Sequence, residues 1–242
     1  MSEIYIIASG KGGVGKSTFA AGVSRELAYR EKKVLAVDCD IGLRSLDLLL
    51  NCAGDVVFNW GDVITNRCAV NEAIVKAECG VDFLAAPLYS EDEFTPESFK
   101  DMIDALSPGY DFIFLDAPAG IGSGFALAAG AADKGIIITT PDSVCVRSCA
   151  RAGDELKKTG LSELRLLVNM FEIKPTEKSK LLNIDECIDE TRTQLLGIIP
   201  LDRSLAFQSV TGEEPGEFSP SAQAFDRITG RLLGENVELV FE

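Results

Sequence analysis

The sequence predicts an α/β fold: a doubly wound, mostly parallel sheet of about seven to eight strands, with helices on both faces in three layers. Three observations carry this. Short apolar runs alternate with longer helix-like stretches along the chain. Most of these runs are continuous, without in-out alternation, as in strands whose two faces are both covered. Two of the runs end in aspartates, at the strand ends where an open parallel sheet places its ligands.

The elements follow in order. Ile4 to Ala8 is the first strand, and a helix follows near 16–30. Val34 to Val37 and Val81 to Ala86 are the second and third strands, with a helix near 95–107 after them. Phe112 to Leu115 is the fourth strand and Gly135 to Thr139 the fifth, followed by a helix near 143–158. Leu164 to Val168, a helix near 183–193, Leu195 to Ile199 and a helix near 221–233 complete the series. Such alternation implies right-handed crossovers. Gly212 to Pro220 reads as a surface loop, and no linker or repeat divides the chain, so one domain is expected over residues 1–242.

Composition narrows the chemistry. A chain of 242 residues with 46% hydrophobic and 25% charged residues is ordinary for a globular protein. Lys plus Arg number 23 against 38 Asp plus Glu, a net charge of −15, which disfavours non-specific binding to nucleic acid or anionic lipid. Histidine is absent, which removes His general bases, Ser-His-Asp triads and His metal sites. Seven cysteines, an odd number with no CxxC pair, fit reduced thiols better than a disulfide framework. The first residues carry no basic leader, and no apolar run approaches the ~20 residues of a membrane span, so a cytoplasmic protein, at most peripheral to a membrane, is expected.

Residues Gly10-Lys11-Gly12-Gly13-Val14-Gly15-Lys16-Ser17-Thr18 follow the first strand and open the first helix. They fit two patterns. One is the dinucleotide fingerprint, with Asp38 beyond it, which would make the chain a hydride-transfer enzyme. The other is the phosphate loop. A dinucleotide site needs small residues after its third glycine, whereas a triphosphate site needs Lys16 for the phosphates and the Ser17 hydroxyl for Mg²⁺. The phosphate loop is therefore favoured. Lys11 is extra, and a second lysine beside the phosphates suits stabilisation of transition-state charge.

Carboxylates complete the pattern. The second strand runs into Asp38-Cys39-Asp40 and the fourth into Asp116. Asp116, after its apolar run, matches a carboxylate that holds Mg²⁺ directly or through water. Asp38 and Asp40 are two apart and point to one side of an extended segment. One suits the metal shell and the other the orientation of an attacking water.

Lys11 to Thr18 resembles the deviant Walker A loop of the ParA/MinD ATPases, marked by its early lysine. Asp38 to Leu48 is similar to the switch I of its MinD branch. Asp116-Ala-Pro-Ala-Gly-Ile121, Thr139 to Arg147, Leu196 to Ser204 and Gly212-Glu-Glu-Pro also match that pattern, so the resemblance spans about residues 3 to 234. It implies an ATP-driven homodimer with slow hydrolysis, governing septum placement through regulatory protein partners. Lys11 would reach the partner's phosphates, Asp38 and Asp116 would stand in the metal shell, and Asp40 would orient water. Asn169 would read adenine and the backbone from Pro200 to Asp202 would flank it, although Met170 stands where the family usually has arginine. MinD proteins also carry a basic amphipathic membrane helix. Residues 234–242 contain three glutamates and no basic residue, so membrane attachment through them is doubtful and would need a further segment or an adaptor.

Alternatives share the scaffold. A relative that positions DNA should show a basic surface, which −15 opposes, and a flagellar-positioning ATPase is a related option. Iron-sulfur carriers of this group resemble proteins with a C-terminal CxxC, which this sequence lacks.

Overall fold

The computed structural model describes residues 2–173, 181–205, 216 and 218–240. Eight strands form one sheet in the order β3-β4-β2-β5-β1-β6-β7-β8. They are β1 (Glu3–Ala8), β2 (Val34–Asp38), β3 (Ile74–Lys76), β4 (Asp82–Leu84), β5 (Phe112–Asp116), β6 (Lys134–Thr139), β7 (Glu163–Phe171) and β8 (Gln194–Pro200). All pairings are parallel except β3 with β4, a short antiparallel edge. β3 is the strand not read from the sequence, and it makes the run ending in Asp116 the fifth strand.

Helices cover both faces. They are α1 (Lys16–Tyr29), α2 (Leu46–Leu49), α3 (Trp60–Ile64), α4 (Val70–Ala73), α5 (Pro96–Leu106), α6 (Ser123–Ala131), α7 (Ser143–Lys158), α8 (Ile184–Thr191) and α9 (Pro220–Leu232). Alternate residues of each strand enter opposite cores. Ile4 and Ile6 of β1 join Ile113 and Leu115 of β5, beneath Phe99, Ala128 and Val146. Tyr5 and Ile7 join Phe112 and Phe114 on the other face, beneath Phe19, Val23 and Phe225 of α1 and α9. Burial on both faces explains why these strands read as unbroken apolar runs.

Local signals set the helix ends. Thr95 caps α5 by accepting from the Ser98 amide at 3.1 Å, with Pro96 at the first helical position. Asp142 caps α7, accepting from the Cys145 amide at 3.0 Å. Asn183 caps α8, accepting from the Glu186 amide at 2.9 Å, while Glu186 accepts from the Asn183 amide at 2.8 Å. The Gly212-Glu-Glu-Pro segment lies outside the described residues.

The order of the sheet sets the site. β5 separates β1 from β2, and Asp38 pairs in register with Asp116 across the β2–β5 ladder, two residues past the Ala36–Phe114 pair. The carboxyl ends of β1, β2 and β5 therefore open on the same edge as the glycine-rich turn after β1.

Candidate functional site

The turn from Ser9 to Gly15 links β1 to α1 and is pinched at Gly10 and Gly15. Ser9 Oγ donates to the Lys11 carbonyl at 2.7 Å. Gly10 lies so close to α7 that a Cβ there would stand 2.0 Å from the Ser148 carbonyl oxygen. Gly15 has φ +92°, and a Cβ there would stand 2.3 Å from Asn169 Nδ2. Asn169 in turn donates from Nδ2 to the Val14 carbonyl at 2.8 Å, tying β7 to the turn. Gly15 is also the N-cap of α1, where no side chain caps the helix and no acidic residue occupies the first turn. The amino end of α1 is left for an anion, whose charge suits the helix dipole.

Lys16 is only 9% exposed. Burial lowers its ammonium from the ordinary value, against the pull of Asp116 and Asp40. A desolvated cation beside uncapped amides attracts an anion more strongly than a solvated one. Ser17 Oγ lies 3.2 Å from Ser45 Oγ. Lys11 is exposed at the rim, and its charge falls near Asp142.

Asp38 is fully buried. Its Oδ1 accepts from the Asp40 amide at 2.9 Å, and its Oδ2 from the Ser45 and Leu46 amides at 3.2 and 3.3 Å. The carboxylate thus shapes the 40–46 loop. Its own carbonyl accepts from Trp60 Nε1 at 2.9 Å, and Trp60 packs edge-on against Phe94 and Phe99 with centroids 4.9 and 5.2 Å away. Asp116 is buried beside it, and its Oδ1 has no hydrogen-bond partner among the described residues. Burial, then the charge of Asp38, push the Asp116 carboxyl well above the usual range, against a hydrogen bond from Ser17 and the charge of Lys16. Burial also raises Asp38, against its three backbone hydrogen bonds. Burial raises half-buried Asp40, and Lys16 opposes that.

Two buried carboxylates, one with an orphaned oxygen, are costly without a cation. That donor set, with the Ser17 hydroxyl, fits a hard divalent cation such as Mg²⁺. Among the described residues no group of three or more His, Cys, Asp or Glu could hold a metal. Phosphate oxygens and water would complete the shell, as Mg²⁺ prefers.

Beside the turn lies a cleft of about 360 Å³, lined by Gly13, Gly15, Lys16, Ser17, Thr18, Asn169, Met170, Pro200, Leu201, Asp202 and Leu205. Lys11, Asp38, Asp40 and Asp116 lie outside this lining: the three aspartates stand at the ends of β2 and β5, and Lys11 lies toward Asp142 at the start of α7. The cleft thus joins Lys16, Ser17 and Thr18 of the glycine-rich turn to an apolar stretch made by Met170, Pro200, Leu201 and Leu205. Asp202, itself in the lining, ties this wall to the start of α9. Its Oδ1 accepts from the Ser204 amide and hydroxyl at 2.9 and 2.6 Å, and its Oδ2 from the Ser221 amide and hydroxyl at 3.2 and 2.6 Å. Leu205, Ser45 and Trp60 are not singled out by the sequence; Ser45 lies within the Asp38–Leu48 segment, whereas Leu205 and Trp60 carry no motif. β7 also runs past Asn169 to Phe171, because Met170 adopts a left-handed φ of +53° at a bulge and lets Phe171 pair with Pro200.

Comparison with known proteins gives this geometry a context. A family model described as ParA, NUBPL iron-transfer P-loop NTPase, matches residues 1–233. The septum site-determining protein MinD of Bacillus subtilis is 35% identical over 247 residues, covering 99% of this chain and 92% of the relative. The MinC:MinD cell division protein complex of Aquifex aeolicus contains a chain 31% identical, with a TM-score of 0.88 over 99% of this chain and 98% of that one. MinD of Pyrococcus horikoshii, complexed with Mg-ADP, is 29% identical with a TM-score of 0.85 over 96% of each chain. The glycine-rich turn with its two lysines, the paired strand-end aspartates and likeness along nearly the whole length agree: this chain belongs to the ParA/MinD family of P-loop ATPases.

Proposed function

We propose that the chain is a MinD-type switch that binds Mg-ATP, pairs with a second copy in the ATP state, and is released by slow hydrolysis. The observation that carries this is buried Lys16 at an uncapped helix end, facing Asp40 and the Asp116 carboxylate. The first-turn amides and Lys16 hold the β- and γ-phosphates, and Gly10, Gly12 and Gly13 let the backbone close around them. Ser17 and Asp116 hold Mg²⁺, with Asp38 acting from behind through the loop amides it orders. When bound, the ion neutralises charge on the phosphate oxygens. The Asp40 carboxylate accepts no hydrogen bond among the described residues, which leaves it free to orient a water for in-line attack. Lys11, at the rim, reaches a second copy's phosphates. Asn169 and the backbone from Pro200 to Asp202 bracket the base.

The named relatives support a role in placing the division site with a regulatory protein partner. No described helix is long and apolar enough to cross a membrane. The family model's description favours one second reading, iron transfer. Absorbance spectra of anaerobically purified protein decide between them, since a cluster absorbs visible light and the switch does not.

The test is phosphate release with Mg-ATP. Wild type turns over slowly, Lys16→Ala neither binds nor turns over, and Asp40→Ala binds without turnover. Normal turnover by Asp40→Ala removes the role given to Asp40.

A further inference from the structure

We propose that a second cleft, at the opposite end of the sheet from the glycine-rich turn, binds a small organic phosphate. The cleft measures about 600 Å³, within the range of small-ligand sites. Three turns meet there: α1 to β2 brings Lys32 and Lys33, the β3–β4 hairpin brings Lys76, and α5 to β5 brings Tyr110.

Its charge is out of keeping with the rest of the molecule. Nine lysines are described. Lys100, Lys134, Lys157 and Lys158 each pair with a carboxylate. Lys11 and Lys16 belong to the glycine-rich turn. The remaining three, Lys32, Lys33 and Lys76, make no ion pair among the described residues, and all three line this cleft. In a chain of net charge −15 that is a concentration of lysines without an ion-pair partner among the described residues, although the Asp111 carboxylate accepts from the Lys33 amide at 2.9 Å. Asp82 stands opposite Lys76 in the β3–β4 register, yet its Oδ2 accepts from the Tyr110 hydroxyl at 2.9 Å and makes no ion pair with the lysine.

The lysine backbones are fixed. The Lys32 amide donates to the Leu27 carbonyl at 3.0 Å, and the Lys33 carbonyl accepts from the Asp111 and Phe112 amides at 2.8 and 3.2 Å. Lysines brought to one cleft from separate turns suit a multiply charged oxyanion, because each ammonium acts as a point charge without directional demand. Ile74 and Leu106 supply an apolar wall for the carbon body of the ligand.

Calorimetric titration of the full chain with inorganic pyrophosphate, at low salt and without Mg²⁺, tests this site independently of the nucleotide reading. Lys16→Ala silences the glycine-rich turn and should leave the cleft's binding in place. Lys32→Gln with Lys76→Gln should weaken that binding at least about tenfold. Lys100→Gln with Lys158→Gln, the same change in net charge placed elsewhere, should not. Binding lost in Lys16→Ala, or lost equally in the charge-matched control, overturns the site. Phosphatidylglycerol vesicles provide a second arm. Pelleting that depends on Lys32 and Lys76, without any binding of free pyrophosphate, would assign the cleft to a lipid headgroup and overturn the soluble ligand.

Discussion

Asp38 and Asp116 stand opposite one another at the ends of β2 and β5, both buried, with the charge of Asp38 raising the Asp116 carboxyl. Three backbone amides occupy Asp38, whereas Asp116 keeps an oxygen without a partner among the described residues. Like charges in one buried place disfavour the empty site and favour a cation between protein and phosphate. Asp116→Asn should therefore fold with stability within about 1 kcal/mol of wild type. It should lose the extra thermal shift that Mg²⁺ adds to ADP. Melting curves with ADP, with and without Mg²⁺, check this. A variant that keeps the full Mg²⁺-dependent shift contradicts the role of Asp116.

Gly15 meets two demands at once, a left-handed backbone and the nearness of Asn169 Nδ2. Gly15→Ala should cost about 1–2 kcal/mol from backbone strain alone. It should also displace Asn169 from Val14 and weaken nucleotide binding by about tenfold or more. Asn169→Ala within the same chain relieves the clash but not the strain. Urea melts of the double variant should therefore recover only part of the loss.

Asp142 caps the 16-residue α7. Partial burial pushes its carboxyl up, but hydrogen bonds from Cys145 and Thr140 outweigh this and hold it down at about 2. Its folded value lies below its unfolded one, so its stabilisation is present above the unfolded value and is lost as pH falls toward 2. Asp142→Ala should cost about 1 kcal/mol at neutral pH. The gap from wild type should narrow through the acid range below about pH 4. Denaturant midpoints measured at several pH values read this directly.

Asp202 links the loop after β8 to the start of α9 through four hydrogen bonds. Asp202→Ala should raise the KM for ATP several-fold with little change in kcat, because it loosens the apolar wall of the cleft and not the phosphate end. Steady-state kinetics separate the two. A fall in kcat alone would place Asp202 in the chemistry instead.

Trp60 is the chain's one tryptophan, and its indole nitrogen holds the Asp38 carbonyl at 2.9 Å. Its emission should change when Mg-ATP reorders the 40–46 loop. The change should be absent in Lys16→Ala.

Much of this was legible in the sequence. Strands covered on both faces, such as Ile4 to Ala8 and Phe112 to Leu115, gave unbroken apolar runs. The phosphate loop carried its own pattern, and the strand-end aspartates followed from the runs before them. β3 escaped because it has three residues, two half-buried and one exposed, and pairs antiparallel at an edge. α2 and α4 are single turns of four residues, too short for a periodic signal. α6 reads SGFALAAGA, apolar on nearly every side and uncapped by any side chain, so it shows no stripe. The support behind the site was equally hidden. That Asp38 orders Ser45 and Leu46, and that Asp202 grips Ser221, follows from folding distant turns together.

The account's central claim is that ATP, and not ADP, joins two copies of this chain. Light scattering of Asp40→Ala with Mg-ATP and with Mg-ADP measures it most directly, since blocked turnover holds the ATP state. A mass twice that of the single chain with Mg-ATP, returning to the single-chain value with Mg-ADP, is the predicted result. One mass under both nucleotides, with binding of each established, would contradict the switch.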